Sequence, residues 1–504
     1  MLSTVRSATL SGTSGHPVSV EVHVANGLPA FTVVGLPDAS CRESRDRVRA
    51  AIVSTDLEWP SRRITVNLAP GDLPKFGSGI DLAIAVGVLA ASDQLPASTV
   101  SNLAFLGELG LDGSVRQVPG VLPLVDALDA ERIVVPVADA RVAALLAGDR
   151  VRPVSSLAQL RDILKGEAGW PPVPPAPPAP DPAPDPDLAD VRGHQFARRA
   201  LEVAAAGGHH LLLVGPPGAG KTMLARRLGA LLPPLDHQAA IRVTRIHSAM
   251  GLPLPPGGLL SRPPLRAPHH SISAAGLVGG GSGRSRPGEV SAASEGVLFL
   301  DELGEFAPSA LEALRQPLEE GVIRIGRVGG VIEHPARILL VAAMNPCPCG
   351  EGQSVACRCD SASRHRYSRR VSGPLLDRMD LVVHVERPAP DDLLRAARSE
   401  PSAVVGERVE SARRAALERG DRGNAALDGS ALETAAPLAP DAARLLEGAL
   451  AAGQLSARGL RRVRAVARTI RDLDDAGPTL RGQDVAEALS LRVRPTVWED
   501  WRRG

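Results

Sequence analysis

The chain has 504 residues, more than one hydrophobic core usually organises, so two or three domains are expected. Its 57 basic and 56 acidic residues leave a formal net charge of +1, so overall charge identifies no polyanionic partner and any such surface has to be local. The most apolar window, Ile80 to Ala91, contains Asp81 and is shorter than the about 20 apolar residues of a membrane span, which excludes a span there and predicts a buried helix.

The first residues, MLSTVRSATLSG, lack the basic start and long apolar centre of a secretory signal, so a cytoplasmic location is expected. Only Lys75, Lys165 and Lys221 are lysines, so a lysine here is a candidate for specific chemistry. Tyrosine occurs once and phenylalanine six times, leaving few rings on which exposed bases could stack.

Residues 1–165 alternate β-like runs (Val18 to Val24, Phe31 to Val34, Arg63 to Asn67, Arg132 to Val135) with helical stretches, the pattern of an α/β or α+β domain. Residues 166–190 form a linker: ten of the sixteen residues from Pro171 to Pro186 are proline, predicting an extended spacer of about 50 Å. Over 191–390, His210 to Val214, Val297 to Leu300 and Ile338 to Ala342 are apolar runs of strand length, suited to a doubly wound parallel sheet. Residues 391–504 turn to Ala, Arg, Leu and Glu at helical spacing and predict an all-helical lid.

The sharpest motif follows the first of those strands. Gly215-Pro216-Pro217-Gly218-Ala219-Gly220-Lys221-Thr222 fits G-x-x-x-x-G-K-[ST] between an apolar strand and a helix-like run, Met223 to Leu232. Glycines let backbone N–H groups turn in around phosphates, and the next helix adds positive charge at its N-terminus. Lys221 is expected on the β- and γ-phosphates of ATP and Thr222 on Mg²⁺. Val297 to Glu302 is an apolar strand ending in two acids, with Asp301 placed to orient Mg²⁺ and Glu302 to polarise water. Alone, such a pair is usually a solvated turn; the phosphate loop upstream reverses that reading. Asn345, closing the third strand, is placed as a γ-phosphate sensor, the rival being an ordinary loop asparagine.

Gly373 to Asp380 resembles the arginine-finger segment of AAA+ proteins, with Arg378 reaching a neighbour's nucleotide, which requires a ring or filament. Arg458 opens a lid helix where a sensor 2 arginine is expected, though an arginine-rich solvated helix explains it too.

Further signatures are Arg266-Ala267-Pro268-His269-His270-Ser271, Gly279-Gly280-Gly281, Pro287-Gly288-Glu289-Val290 and Asn345-Pro346-Cys347-Pro348-Cys349-Gly350. With the motifs above, they make the chain resemble, over almost its whole length, the YifB/ComM family of magnesium-chelatase-like AAA+ proteins. The resemblance implies an AAA+ P-loop NTPase core with a helical lid and an N-terminal domain similar to the Lon protease domain, of the ribosomal S5 domain 2-like fold. It also implies an ATP-fuelled homo-oligomeric ring, a hexamer, acting on branched or single-stranded DNA, as a helicase that promotes branch migration during DNA uptake. The alternative is a chelatase-like ATPase that remodels a protein partner for metal insertion. Arg266 to Gly283 would be the helix 2 insertion and Val322 to His334 the pre-sensor hairpin, turning at Gly329-Gly330, with Arg324 and Arg327 as phosphate contacts.

In the Lon-like segment Leu73 to Ile80, Gly79 takes the nucleophile position, and the later segment Gly120 to Val125 has no lysine, so peptidase activity is not expected. Ser78 and Lys75 are close in sequence without implying a dyad. Cys347, Cys349, Cys357 and Cys359 form two C-x-C pairs that could supply a thiolate site for structural zinc. Disulfides are the rival, disfavoured in a reducing compartment. Arg364, Arg366, Arg369 and Arg370 follow, able to meet DNA phosphate, line an inter-subunit ATP site or remain solvated.

Overall fold

A computed structural model describes residues 1–177, 186–281, 285–327, 330–352, 356–395, 399–420 and 423–492. Part of the proline-rich linker, Gly283 at the end of the helix 2 insertion, Gly329 of the hairpin and residues 493–504 of the helical region lie outside them.

The N-terminal part is a mixed seven-stranded sheet in the order Ala30–Val34, Arg63–Ala69, Ser14–Ala25, Leu2–Ser11, Leu103–Phe105, Arg132–Pro136, Val151–Val154. Leu2–Ser11 and Ser14–Ala25 form an antiparallel hairpin; the strands from Leu103 onward run parallel to Leu2–Ser11 and to each other. Helix Asp81–Ala91 is buried along its whole length against this hairpin, as its unbroken apolar run requires. Its one charge, Asp81, is matched by Arg47 at 2.6 Å, which limits the cost of burying a carboxylate.

The strand Leu2–Ser11 carries no simple alternation because Ser7 and Thr9 are buried beside its apolar residues. The Ser7 hydroxyl donates to Phe105 O at 2.8 Å, so a polar side chain is satisfied inside the sheet.

The linker does not leave this domain at once. Trp170 and Val173 pack on its apolar clusters, and Arg141 donates to Pro174 O at 3.2 Å and to Pro256 O at 2.6 Å. The start of the linker is therefore docked, because its few apolar side chains find a core to cover. Helix Val121–Asp126 also packs on helix His237–Met250, with Gly120 N donating to Ser248 O at 2.8 Å and Arg245 paired with Asp126 at 3.0 Å.

The second sheet has five strands, all parallel, ordered Leu265–Arg266, Gly296–Leu300, Ile338–Met344, Leu211–Val214, Leu381–His384. Its three inner strands are nearly continuous apolar runs, as burial on both faces demands. The outer two were not evident from sequence. Leu265–Arg266 is two residues long, and Leu381–His384 lies directly beyond the Arg378 segment.

From Ser402 the described residues are helical: Ser402–Glu418, Gly429–Ala435, Pro440–Ala451, Ala457–Leu473 and Gly482–Ser490. They share an apolar core with the face of the parallel sheet that carries Leu211 and Leu213.

Strands Val322–Arg327 and Gly330–Pro335 pair as the expected hairpin, with Ile325 opposite Ile332. That register puts Gly330 opposite Arg327, inside the ladder rather than in the turn. A one-residue slip would exchange the buried and open faces of both strands, so the apolar pairing fixes the position.

Candidate functional site

The loop Gly215–Thr222 leaves the C-terminal end of Leu211–Val214, and helix Lys221–Arg227 starts within it. Gly218 and Gly220 have φ of 77° and 85°, values that let the backbone fold inward where a side chain would be strained. Gly215 N donates to Met344 O at 3.2 Å, which ties the loop to the neighbouring strand.

Lys221 is buried. Its Nζ donates to Gly215 O at 2.6 Å, Pro216 O at 2.9 Å and Asn345 Oδ1 at 3.1 Å. Burial lowers its pKa and the field of Asp301 opposes that shift. A cation held by three neutral oxygens suits phosphate oxygens, which would add the missing opposite charge. Asn345 thus sits beside Lys221.

Thr222 Oγ1 donates to Asp301 Oδ2 at 2.7 Å, so the two expected Mg²⁺ ligands meet. They follow Leu211–Val214 and Gly296–Leu300, the strands on either side of Ile338–Met344, at the C-terminal edge of a parallel sheet, where such folds hold ligands. An alcohol and a carboxylate oxygen suit Mg²⁺, a hard ion that keeps most of its waters.

Glu302 follows in a left-handed conformation, φ 54° and ψ 48°, and is largely exposed. Its carboxylate meets His270 Nδ1 at 3.2 Å, and the His270 ring lies edge-on to Phe306 at 6.4 Å. The Arg266–Ser271 motif thereby contacts the carboxylate that the sequence leads us to expect on the attacking water. The sequence alone gives His270 no role, because the fold and not the spacing sets it against Glu302.

Arg378 differs from expectation. Its side chain is buried, donates to Pro374 O at 2.7 Å and pairs with Glu319, so in this chain it does not project as a finger. Burial lowers its pKa, with Glu319 opposing. Arg458, half exposed, approaches the same Glu319 at 3.6 Å. The two arginines expected to read phosphate therefore converge on one carboxylate, which sequence reasoning missed.

The four clustered cysteines come together with all Sγ atoms within 4.8 Å of one another. Cys347 Sγ lies 3.4 Å from Cys349 Sγ and 3.8 Å from Cys357 Sγ, and Cys349 and Cys357 are 3.6 Å apart. These are far beyond the about 2.05 Å of a disulfide. They match the about 3.8 Å edge of a tetrahedron with Zn–S bonds near about 2.3 Å. Backbone N–H groups of Glu351 and Arg358 lower the Cys349 thiol to about 6, whereas burial raises Cys347. The set can hold a thiophilic metal ion.

The basic residues expected to meet DNA are partly engaged. Arg324 pairs with Glu320 and with Glu333 at 2.8 Å, so its charge is matched within the hairpin. Arg364 donates to Cys359 O at 3.1 Å, and Arg370 pairs with Glu305 at 2.8 Å. Arg327 lies on the strand with its side chain outside the described set. In the N-terminal sheet the Ser78 hydroxyl is bonded to Glu108, while the buried Lys75 Nζ is bonded to Pro70 O; the two side chains have separate partners.

No helix among the described residues is long and apolar enough to cross a membrane. The parallel sheet, the phosphate loop and the paired acids define a mixed α/β protein of the magnesium-chelatase-like AAA+ P-loop type. The profile described as magnesium chelatase, subunit ChlI, matches residues 187–393; that of subunit ChlI of Mg-chelatase matches 20–139; and that of the ChlI C-terminal region matches 399–492. An uncharacterised protein of Mycobacterium tuberculosis is 48% identical over 498 residues, covering 96% of this chain and 97% of its own length. The uncharacterised protein YifB of Escherichia coli is 42% identical over 495 residues, covering 98% of this chain and 97% of itself. The competence protein ComM of Haemophilus influenzae is 42% identical over 499 residues with the same coverage. The chain belongs to the YifB/ComM family.

Proposed function

We propose that the chain is an ATP-hydrolysing ring motor that acts on DNA, a helicase promoting branch migration during DNA uptake or recombination. The observation that carries the ATPase half is the meeting of Lys221 with Asn345 and of Thr222 with Asp301 at one sheet edge. Lys221 binds the phosphates, Thr222 and Asp301 hold Mg²⁺, Asn345 senses the γ-phosphate, and Glu302 takes the proton from the attacking water. Bound Mg²⁺ supplies charge neutralisation to the phosphoryl group. Structural zinc is assigned to Cys347, Cys349, Cys357 and Cys359.

In the ring, a neighbour's phosphate draws Arg378 away from Glu319 to act in trans as the finger, and Arg458 takes the sensor 2 role. The DNA half rests on the resemblance to ComM and on the helix 2 insertion and hairpin. The N-terminal residues 1–165 are assigned an S5 domain 2-like fold serving as a binding or assembly platform, not a peptidase. Residues 166–190 are the linker, 191–390 the ATPase core and 391–504 the lid.

The second reading, a chelatase-like remodeller of a protein partner, is favoured by one observation: the Glu320 and Glu333 carboxylates already neutralise Arg324 on the hairpin. Four-way-junction unwinding and ATPase stimulation, measured for the native protein and Glu302→Gln, separate the two. A DNA motor unwinds the junction only with Glu302 intact and loses DNA steeply as salt rises. An ATPase indifferent to every DNA tested would move the assignment to the protein remodeller.

A further inference from the structure

The cysteine cluster is built into the nucleotide site. Cys347 lies two residues past Asn345, and the turn that follows presses on the phosphate loop. Gly350 has φ +85°, and a Cβ there would fall 2.3 Å from Pro217 Cδ and 2.6 Å from Pro217 Cγ. Arg387 ties the same two segments, donating to Pro217 O at 3.4 Å and meeting Glu351 at 2.7 Å.

The other end of the cluster reaches the site through helix Ser361–Ser368. Its Tyr367 ring is buried and lies against Gly304, three residues past Asp301. The described residues of the chain between these anchors form no core of their own. Among its described residues from Gly350 to Asp360, only Gly350 and Gly352 are buried, and neither brings a side chain. The four sulfurs draw the segment together, beside the Arg387–Glu351 pair and local hydrogen bonds such as Gly352 N to Cys347 Sγ at 3.2 Å. A segment without apolar burial depends on its ligand for shape.

We propose that zinc held by these four cysteines sets the position of Pro217 and Asn345, so that ATP binding depends on the metal although the metal never touches the nucleotide. This rests on the zinc assignment above and adds to it a mechanical coupling: the cysteines are positioning residues for the phosphate loop and its sensor. Without the ion, the four thiols part, Gly350 leaves Pro217, and Asn345 loses the orientation that places its amide beside Lys221.

The test uses the full chain. Zinc is counted by mass spectrometry. The metal is then stripped with a chelator under reducing conditions, the chelator is removed, Mg²⁺ is restored, and affinity for a fluorescent ATP analogue is measured with and without zinc added back. One zinc per chain is expected, with stripping weakening the analogue by about tenfold or more and zinc restoring it, the scale on which small misplacements act at such sites. Gly350→Val, which leaves every cysteine in place, should retain zinc and lose affinity to a similar degree.

Zinc-free protein that binds the analogue as tightly as loaded protein would overturn the coupling and leave the zinc assignment standing. Native protein with no metal and four freely titrating thiols would overturn the assignment itself, and the coupling with it. If stripping unfolds the chain, Gly350→Val decides: zinc retained with native affinity overturns the coupling, and zinc retained with lost affinity supports it.

Discussion

Replacing Glu302 by glutamine keeps the shape of the side chain and removes its ability to accept a proton. The hydrogen bonds that assemble the rest of the site, Thr222 to Asp301 at 2.7 Å and Lys221 to Asn345 at 3.1 Å, do not involve it. Its own contact, with His270 at 3.2 Å, joins two partly exposed groups, 60% and 34% accessible, so its loss costs at most about 1 kcal/mol of stability. ATP affinity and thermal stability should therefore stay near native. A positioned general base contributes about 10²- to 10⁴-fold to a rate. At about 1.36 kcal/mol per decade, Glu302→Gln should raise the barrier by about 2.7 to 5.4 kcal/mol. Single-turnover phosphate release from saturating ATP, beside equilibrium binding on the same samples, reads the two effects separately. A release rate within about threefold of native would place the base elsewhere. Loss of binding would instead make Glu302 part of the binding cradle and refute the division of labour drawn here.

Lys221→Ala should abolish ATP binding, so the rise in melting temperature that ATP gives the native protein should vanish; a persistent rise would remove Lys221 from the site. Asp380→Ala strands Arg462, which is 11% exposed and held by Asp380 where lid meets core, and should cost about 3 to 5 kcal/mol in denaturant unfolding. A cost under about 1 kcal/mol would mean the pair contributes little. His334 is fully buried, and burial lowers its pKa from 6.5 to about 4, so the unfolded chain holds a proton there that the folded chain excludes. Its contribution is constant above pH 6.5, and stability falls as the pH drops from 6.5 towards 4, by up to about 1.4 kcal/mol per pH unit. Denaturant midpoints at pH 7.5 and 5.0 should show the fall, and His334→Gln should reduce it.

The phosphate loop and its acids were legible because their chemistry is local. Gly215 to Thr222 and Asp301-Glu302 each carry their function in consecutive residues, and the apolar strands before them fix where they point. Asn345 and the cysteines were legible for the same reason, as short runs of chemically distinctive residues. Contacts between distant segments were not. Nothing in the sequence places Glu319 against both Arg378 and Arg458, or His270 against Glu302, because each pairing is set by how loops cross the sheet edge. Arg378 shows the limit most clearly: its motif predicts a projecting side chain, yet a carboxylate within the same chain draws it inward. The strand Leu2–Ser11 hid for another reason, since buried Ser7 and Thr9 erase the alternation that marks a half-buried strand.

These pairings share a physical character that bears on how the site could be driven. The helix 2 insertion touches Glu302 through His270, the arginine segment and the lid meet at Glu319, and the cysteine turn meets the phosphate loop through Arg387 and Glu351. Except for Arg378, the partners are partly or largely exposed, and such pairs each contribute about 0 to 1 kcal/mol. Breaking one is easily offset by a new charge–phosphate contact, which is roughly twice as strong as a neutral hydrogen bond. The parallel sheet, by contrast, is held by apolar strands buried on both faces and has no low-cost alternative arrangement. The molecule thus separates a rigid frame, which fixes Lys221 and Asp301, from weakly latched elements that, on the proposed function, nucleotide or a neighbouring subunit would move.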